Sequence, residues 1–401
     1  MSRIAVVHDW FDCIAGSEKV VKEIMHCYPE SDVFSIVDHL TDEERTSLGI
    51  DHINTSFIQR LPFQKSKFRH YLPLMPMAVE QFNLSPYDAI ISSSHAFAKG
   101  IVTSAEQVHM SYVHTPIRYA WDMQHEYLEQ QNLKRGPKAA FVRACLHYIR
   151  MWDRGTADRV DVYMANSQYV ANRIKKTYNR PAQVIYPPCD VHKLTVQHDK
   201  EDFFLAAGRL VPYKRFDLVV EAMKHLPDQK LYVIGSGSEM KKLQSIAGDN
   251  VELLGYQPDE VMYDFMQRAK AFVFGAVEDF GIMPVEAQAC GTPVVAMGRG
   301  GTAETVINGE TGIHFYEQTP EAVAEAMQTV AEMPRNFFDT ERIRAHAETF
   351  SRETFRSKLS TLVNETLAKK RAGQVLESPK PSPIMTPTID IQSYQQNESQ
   401  L

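Results

Sequence analysis

Short apolar runs such as Ile4-Ala5-Val6-Val7 and Ala271-Phe272-Val273-Phe274 alternate along the chain with segments whose apolar residues recur at helical spacing. Parallel sheets covered by crossover helices read this way. A first series predicts strands over 4–8, 33–37, 89–93, 110–114, 162–166 and 183–186, with helices between them. A second predicts strands over 203–207, 231–234, 251–254, 271–274 and 293–296, with helices starting near Arg215, Glu239, Pro258, Pro284 and Pro320. The two series meet at Tyr186-Pro187-Pro188-Cys189. Two prolines there fix φ and remove two backbone donors, so regular structure from neither half runs through. The division expected is a Rossmann-like domain over 1–186, a second over 187–350, a helix over 351–372 and a disordered tail over 373–401, too rich in Pro, Ser, Thr and Gln to bury a core.

A length of 401 residues exceeds what one hydrophobic core usually organises, which agrees with two domains. The 44% hydrophobic and 23% charged content is that of an ordinary globular protein. A formal net charge of −7 argues against a nucleic-acid binder, whose affinity comes from clustered Lys and Arg. The first apolar run is cut short by His8 and Asp9, too brief for a signal-peptide core, and no segment is apolar for long enough to span a bilayer. The five cysteines are odd in number, scattered and free of Cys-x-x-Cys spacing, so neither a disulfide framework nor a zinc site is indicated. A cytoplasmic location is the expectation.

The sharpest chemical feature is Val277-Glu278-Asp279-Phe280-Gly281-Ile282-Met283-Pro284-Val285-Glu286, between an apolar strand and a helix with Pro284 in its first turn. A helix start carries partial positive charge and free N–H groups, which suit an anion. Ile282 and Met283 cannot cap it as Ser, Thr, Asp or Asn would. Glu278 and Glu286 are acceptors suited to the hydroxyls of a sugar and a ribose. The second feature, Gly208-Arg209-Leu210-Val211-Pro212-Tyr213-Lys214, follows the first strand of the second domain. It offers a guanidinium fork and a compact ammonium, a pair fit for two adjacent phosphates. A third, Ile14-Ala15-Gly16-Ser17-Glu18, puts a glycine loop before the first helix. The fourth, Tyr112-Val113-His114-Thr115-Pro116-Ile117-Arg118-Tyr119-Ala120-Trp121-Asp122, is a polar and aromatic loop of the kind that lines sugar sites. No Asp-x-Asp occurs to hold a metal against a diphosphate, and Gly235-Ser236-Gly237-Ser238-Glu239 lacks the third glycine of a dinucleotide fingerprint.

Together these segments resemble glycosyltransferase family 4, retaining enzymes of the GT-B fold, over nearly the whole chain to about Arg371. The match continues through Ala287-Gln288-Ala289-Cys290-Gly291-Thr292-Pro293 and Gly300-Gly301-Thr302-Ala303-Glu304. The resemblance implies an α/β protein of two Rossmann-like domains facing each other across a cleft, with the C-terminal helix crossing back to the first. It implies Arg209 and Lys214 on the donor diphosphate, Glu278 with the backbone of Phe280, Gly281 and Ile282 on the donor sugar, Glu286 on the ribose, and His114 beside the reacting sugar. Gly16 would approach the donor, although Ala15 stands where many members have a second glycine. Arg118 and Tyr119 fall on the acceptor side. Neither a metal nor another cofactor is implied.

The segment from His114 to Asp122, with Tyr71-Leu72-Pro73-Leu74 and Ser92-Ser93-Ser94-His95-Ala96, is similar to bacterial mannosyltransferases of O-antigen and exopolysaccharide synthesis. That makes GDP-mannose the first donor and a lipid-linked glycan the expected acceptor. Another nucleotide sugar such as UDP-glucose, a nucleotide-sugar 2-epimerase on the same fold, and a non-catalytic sugar-nucleotide binder are the competing readings. The stretch 59–74 interleaves cations with apolar residues, so Lys65, Lys67 and Arg69 are candidate contacts to anionic lipid at the inner face of the plasma membrane.

Overall fold

The computed structural model describes residues 2–131 and 133–376. Residues 377–401, most of the segment expected to be disordered, lie outside them.

Two all-parallel sheets organise the chain. The first comprises β1 (Ile4–His8), β2 (Asp32–Ser35), β3 (Ile53–Thr55), β4 (Ala89–Ser94), β5 (Val108–Val113), β6 (Val162–Ala165) and β7 (Gln183–Val184), in the order β3-β2-β1-β4-β5-β6-β7. The second comprises β8 (Phe204–Ala207), β9 (Leu231–Ile234), β10 (Val251–Gly255), β11 (Ala271–Phe274), β12 (Val294–Met297) and β13 (Gly312–Phe315), in the order β10-β9-β8-β11-β12-β13. Every residue of β1, β4, β5, β8, β11 and β12 is buried. Strands covered on both faces carry continuous apolar sequence for that reason. The sequence pattern predicts these central strands together with β2, β6, β7, β9 and β10; the edge strands β3 and β13 are additions to it.

The C-terminal helix expected over 351–372 is Arg352–Arg371, and a shorter helix, Thr340–Glu348, precedes it. Ser351 starts the longer one by accepting from Thr354 N–H at 3.3 Å, and Phe350 sits buried in the break between them. The longer helix returns to the first sheet, where Phe355, Leu359, Leu362 and Val363 join the core with Val20, Val21 and Ile24 of the helix Gly16–Cys27. Four large buried side chains contribute on the order of 6–12 kcal/mol to holding it there. Arg356 and Arg352 add ion pairs to the buried Glu23, at 2.5 and 3.4 Å.

Candidate functional site

Strand order reverses between β1 and β4 in the first sheet and between β8 and β11 in the second. Parallel α/β sheets leave a crevice beyond the strand ends at such a reversal, because neighbouring connections depart to opposite faces. The loops leaving both reversals meet one another, and all four sequence features lie in them or beside them.

On the second-domain side, Gly208 follows β8 with φ +142°. Its N–H donates to Ile234 O at 2.9 Å, and Leu210 N–H donates to Ser236 O at 2.9 Å, so the loop after β9 braces the loop after β8. Gly235 and Gly237, both at positive φ, run so close that a Cβ on either would overlap the carbonyl of Gly208 or Leu210. Arg209 is exposed, its Nη2 3.4 Å from Tyr213 Oη. Lys214, in the 3-10 turn Pro212–Lys214, is ion-paired to Glu278 beyond β11 and lies 5.5 Å from the centroid of the Phe274 ring. Gly301 N–H donates to Glu278 O at 2.8 Å, and a Cβ on Gly301 would collide with Phe280 backbone, so the glycine pair 300–301 supports the Glu278 loop. The helix Ile282–Ala289 starts after Gly281 at φ +87°, and no side chain caps it. Glu286 is buried, which pushes its carboxyl pKa up against the opposing charge of Lys19. It faces a small cavity with Lys19, Ile282 and Arg352.

The first-domain side is a buried chain of polar groups at the ends of β1, β4 and β5. His8 Nε2 is 3.2 Å from Glu18 Oε1, His8 Nδ1 is 3.2 Å from Ser93 Oγ, and Ser93 Oγ is 2.8 Å from His114 Nε2. Glu18 also accepts from Ala15 N–H at 2.9 Å, which ties the Gly16 loop to the chain. Asp9 accepts from the N–H groups of His95, Ala96, Phe97 and Ala98 at 2.5–2.9 Å. Burial opposes charge on Glu18, but its hydrogen bond to His8 wins and lowers the carboxyl to about 2. Burial, with His95 and His8 nearby, lowers His114 to about 3, so it is neutral and Ser93 sits at its Nε2. Gly16 completes this side: a Cβ there would lie 3.4 Å from Ile282 Cδ1, so the two domains touch at that glycine.

An acid-stability expectation arises here. His114 and His109 are held at about 3 and about 4 against an ordinary 6.5, both chiefly by burial. The unfolded chain therefore binds protons that the folded one refuses, and the stability their neutral forms support is lost as pH falls below 6.5. Each contributes a slope of about 1.4 kcal/mol per pH unit between about pH 6 and about pH 5. Urea unfolding across that interval should show a pH slope shallower by about 1.4 kcal/mol per pH unit in His109→Gln than in the parent; an identical slope in the two would contradict it.

Several predicted residues have partners in the structure that the sequence did not indicate. Arg118, assigned to the acceptor side, is ion-paired across the cleft to Asp279. Arg173 joins the same carboxylate at 2.9 Å and also reaches Thr115 Oγ1 at 2.6 Å and Asp122 at 2.8 Å. Tyr119, also assigned there, turns inward: its hydroxyl is buried and its ring packs on the first-domain core, as its largely apolar surface favours. Arg69 pairs with Asp12 at 2.9 Å and lies over Phe68 at 4.5 Å, so it is directed along the protein surface rather than away from it; Lys65 and Lys67 are exposed. Beside the Asp279 ion pairs a cavity of about 530 Å³ opens between the domains, lined among others by Arg118, Arg173, Tyr213, Arg215, Asp279 and Lys242. A second clasp sits nearby, where Glu304 accepts from Gln168 and Tyr169 N–H at 2.7 and 2.8 Å, at the start of the helix Gln168–Tyr178. Among the described residues no three His, Cys, Asp or Glu side chains are grouped to hold a metal ion, and no helix is long and apolar enough to cross a membrane.

Two Rossmann-like domains with their strand-order reversals turned towards a common cleft define the GT-B class. Residues 192–348 match the family described as glycosyl transferases, group 1, and the chain has the GT-B fold. An uncharacterized glycosyltransferase of Methanocaldococcus jannaschii is 31% identical over 170 residues, 41% of this chain and 48% of its own. A Corynebacterium glutamicum protein named GDP-mannose-dependent monoacylated alpha-(1-6)-phosphatidylinositol monomannoside mannosyltransferase is 32% identical over 184 residues, 38% of this chain and 48% of its own. The chain thus spans about half the length of these curated relatives. The fold is shared with HepE of Anabaena in complex with UDP and glucose, at TM-score 0.66 and 18% identity, covering 91% of this chain and 100% of that one. It is shared also with sucrose-phosphate synthase of Thermosynechococcus elongatus, at TM-score 0.69 and 16% identity, covering 92% and 100%.

Proposed function

We propose that the protein is a retaining glycosyltransferase that moves mannose from GDP-mannose to a lipid-linked or polysaccharide acceptor in cell-surface glycan synthesis, at the cytoplasmic face of the membrane. The observation that carries the reading is the Lys214–Glu278 ion pair at the β8/β11 reversal, with exposed Arg209 on one side and an uncapped helix start on the other. Lys214 and Glu278 neutralise each other in the free protein. A bound donor separates them, its diphosphate taking Lys214 and Arg209 while its sugar hydroxyls take Glu278. The backbone of Phe280, Gly281 and Ile282 borders the sugar, Glu286 serves the ribose, Gly16 lets the first domain approach, and His114 stands beside the reacting carbon. GDP-mannose is favoured by the name of the Corynebacterium relative.

In this reading the sugar–phosphate bond breaks with positive charge growing on the sugar and negative charge on the departing diphosphate. Lys214, Arg209 and the helix start stabilise the leaving group, and such preorganised charge is the strongest rate-enhancing effect open to a site of this kind. The acceptor oxygen bonds to the anomeric carbon from the face the diphosphate leaves, and its proton passes to the departing phosphate oxygen. Glu278 is not a covalent nucleophile here; its place is on the hydroxyls.

The charge on the leaving group is met by side chains and backbone, so turnover is expected to persist in excess chelator. A screen of nucleotide sugars, read by released nucleotide diphosphate with and without EDTA, tests both points. Loss with EDTA and recovery with magnesium or manganese overturns the metal-free mechanism. Turnover of a UDP-sugar in place of GDP-mannose overturns the donor, and epimerised product without acceptor overturns transfer.

A further inference from the structure

The helix Pro137–Gly155 buries Ala139, Leu146, Ile149 and Asp153 against the first domain. Its opposite side is also apolar: Phe141, Tyr148 and Met151 are 67%, 44% and 57% exposed. At 100° per residue these three fall within one stripe, roughly opposite the buried positions. Folding leaves that stripe in water, where a helix face is ordinarily polar.

Charge decides what covers it. Residues 134–155 contain Lys134, Arg135, Lys138, Arg143, Arg150 and Arg154 and one acid, Asp153, which is buried and paired with Lys99 at 2.9 Å. Arg143 and Arg154 flank one edge of the stripe and Lys138 the other. Lys134 is paired with Glu129 at the helix approach. The helix packs beside the segment Phe68–Leu74, and its Trp152 Nε1 donates to Glu80 at 2.9 Å. That neighbouring region exposes Phe63, Leu74 and Met77, and residues 52–79 contain no acid at all. A basic, apolar surface of this kind, on a chain of net charge −7, is complementary to anionic lipid.

We propose that the exposed face of the helix Pro137–Gly155 is the main surface by which the protein lies on an anionic bilayer, with Phe141, Tyr148 and Met151 entering the headgroup boundary and Lys138, Arg143 and Arg154 holding lipid phosphates. The inference deepens the reading of a lipid-linked acceptor and rests on it for its purpose, though not for its observations. It shifts the weight of membrane contact from Arg69, which Asp12 engages, to a helix outside the stretch 59–74.

Co-sedimentation with vesicles containing phosphatidylglycerol, and with vesicles of phosphatidylcholine alone, tests it on the full chain. Binding is expected to the first and not the second, and to weaken as salt is raised. Each cation near the surface changes affinity roughly fivefold, so Lys138→Ser, Arg143→Ser and Arg154→Ser together should lower it on the order of 100-fold. Phe141→Ser with Met151→Ser should release the protein even at low salt. Circular dichroism and donor turnover on a soluble acceptor should match the parent in both variants, since none of these residues lines the cleft. No binding by the parent, or binding unchanged in both variants, overturns the proposal. So does concentration-dependent dimerisation that is lost in the Phe141/Met151 variant without vesicle binding, which would assign the face to a second copy. Vesicle binding without sugar transfer would leave this surface standing and remove the glycosyltransferase reading; transfer without vesicle binding would do the reverse.

Discussion

Lys214→Ala is expected to lower turnover by roughly two to three orders of magnitude at saturating donor, and Arg209→Ala by a similar factor, the scale of removing one preorganised charge donor from a developing anion. Lys214 is also the partner of Glu278, so its removal leaves that carboxylate free to repel the diphosphate. Folding should survive, because both cations belong to a loop whose path is fixed by backbone bonds to Ile234 and Ser236. Steady-state release of nucleotide diphosphate, with thermal unfolding alongside, makes the measurement. If both variants keep the parent's turnover, the diphosphate assignment falls.

Gly235→Ala is the second change expected to act strongly, and it acts on backbone. Gly235 lies at φ +145°, where L side chains are strained, and its Cβ would overlap the Gly208 carbonyl oxygen directly before Arg209. The two loops must separate. Overpacking of this sort costs roughly 1–3 kcal/mol of stability, measurable by urea unfolding. A displacement of about 1 Å in a positioned charge can cost on the order of 100-fold in rate. A variant with unchanged turnover and unchanged midpoint would show that the brace does not position Arg209. Gly248→Ala is a fitting control: φ is not positive there and the nearest atom, Asn250 Oδ1, stands 3.2 Å from the built Cβ at a side-chain tip.

The central strands were legible because they are covered on both faces, and such strands write themselves as unbroken apolar runs. The edges were not. β3 is three residues with only Ile53 buried, and β13 buries Gly312 and Phe315 at its ends with the half-buried Ile313 and His314 between them, so neither leaves a continuous run. The Arg209, Lys214 and Glu278 features could be read because each follows a strand directly. Gly235 and Gly237 could be read only as an incomplete dinucleotide fingerprint, since bracing a neighbouring loop leaves no sequence signature beyond the glycines themselves. The interdomain ion pairs had no local pattern at all: Arg118 and Arg173 reach Asp279 across 161 and 106 residues. Ser93 and His114 likewise meet only because β4 and β5 are neighbours in the sheet.

The return of the Arg352–Arg371 helix to the first domain means that the chain passes between the domains twice, once through Pro187 and Pro188 and once at Phe350 and Ser351. The two passages are joined, with Cys189 N–H donating to Phe350 O at 2.9 Å. A single covalent tether leaves a body free to swivel as well as to bend. Two tethers bonded side by side act as paired door hinges: swivelling shears the bond between them, and bending about their common line is the soft motion that remains. Bending about that line is the motion that would part Gly16 from Ile282.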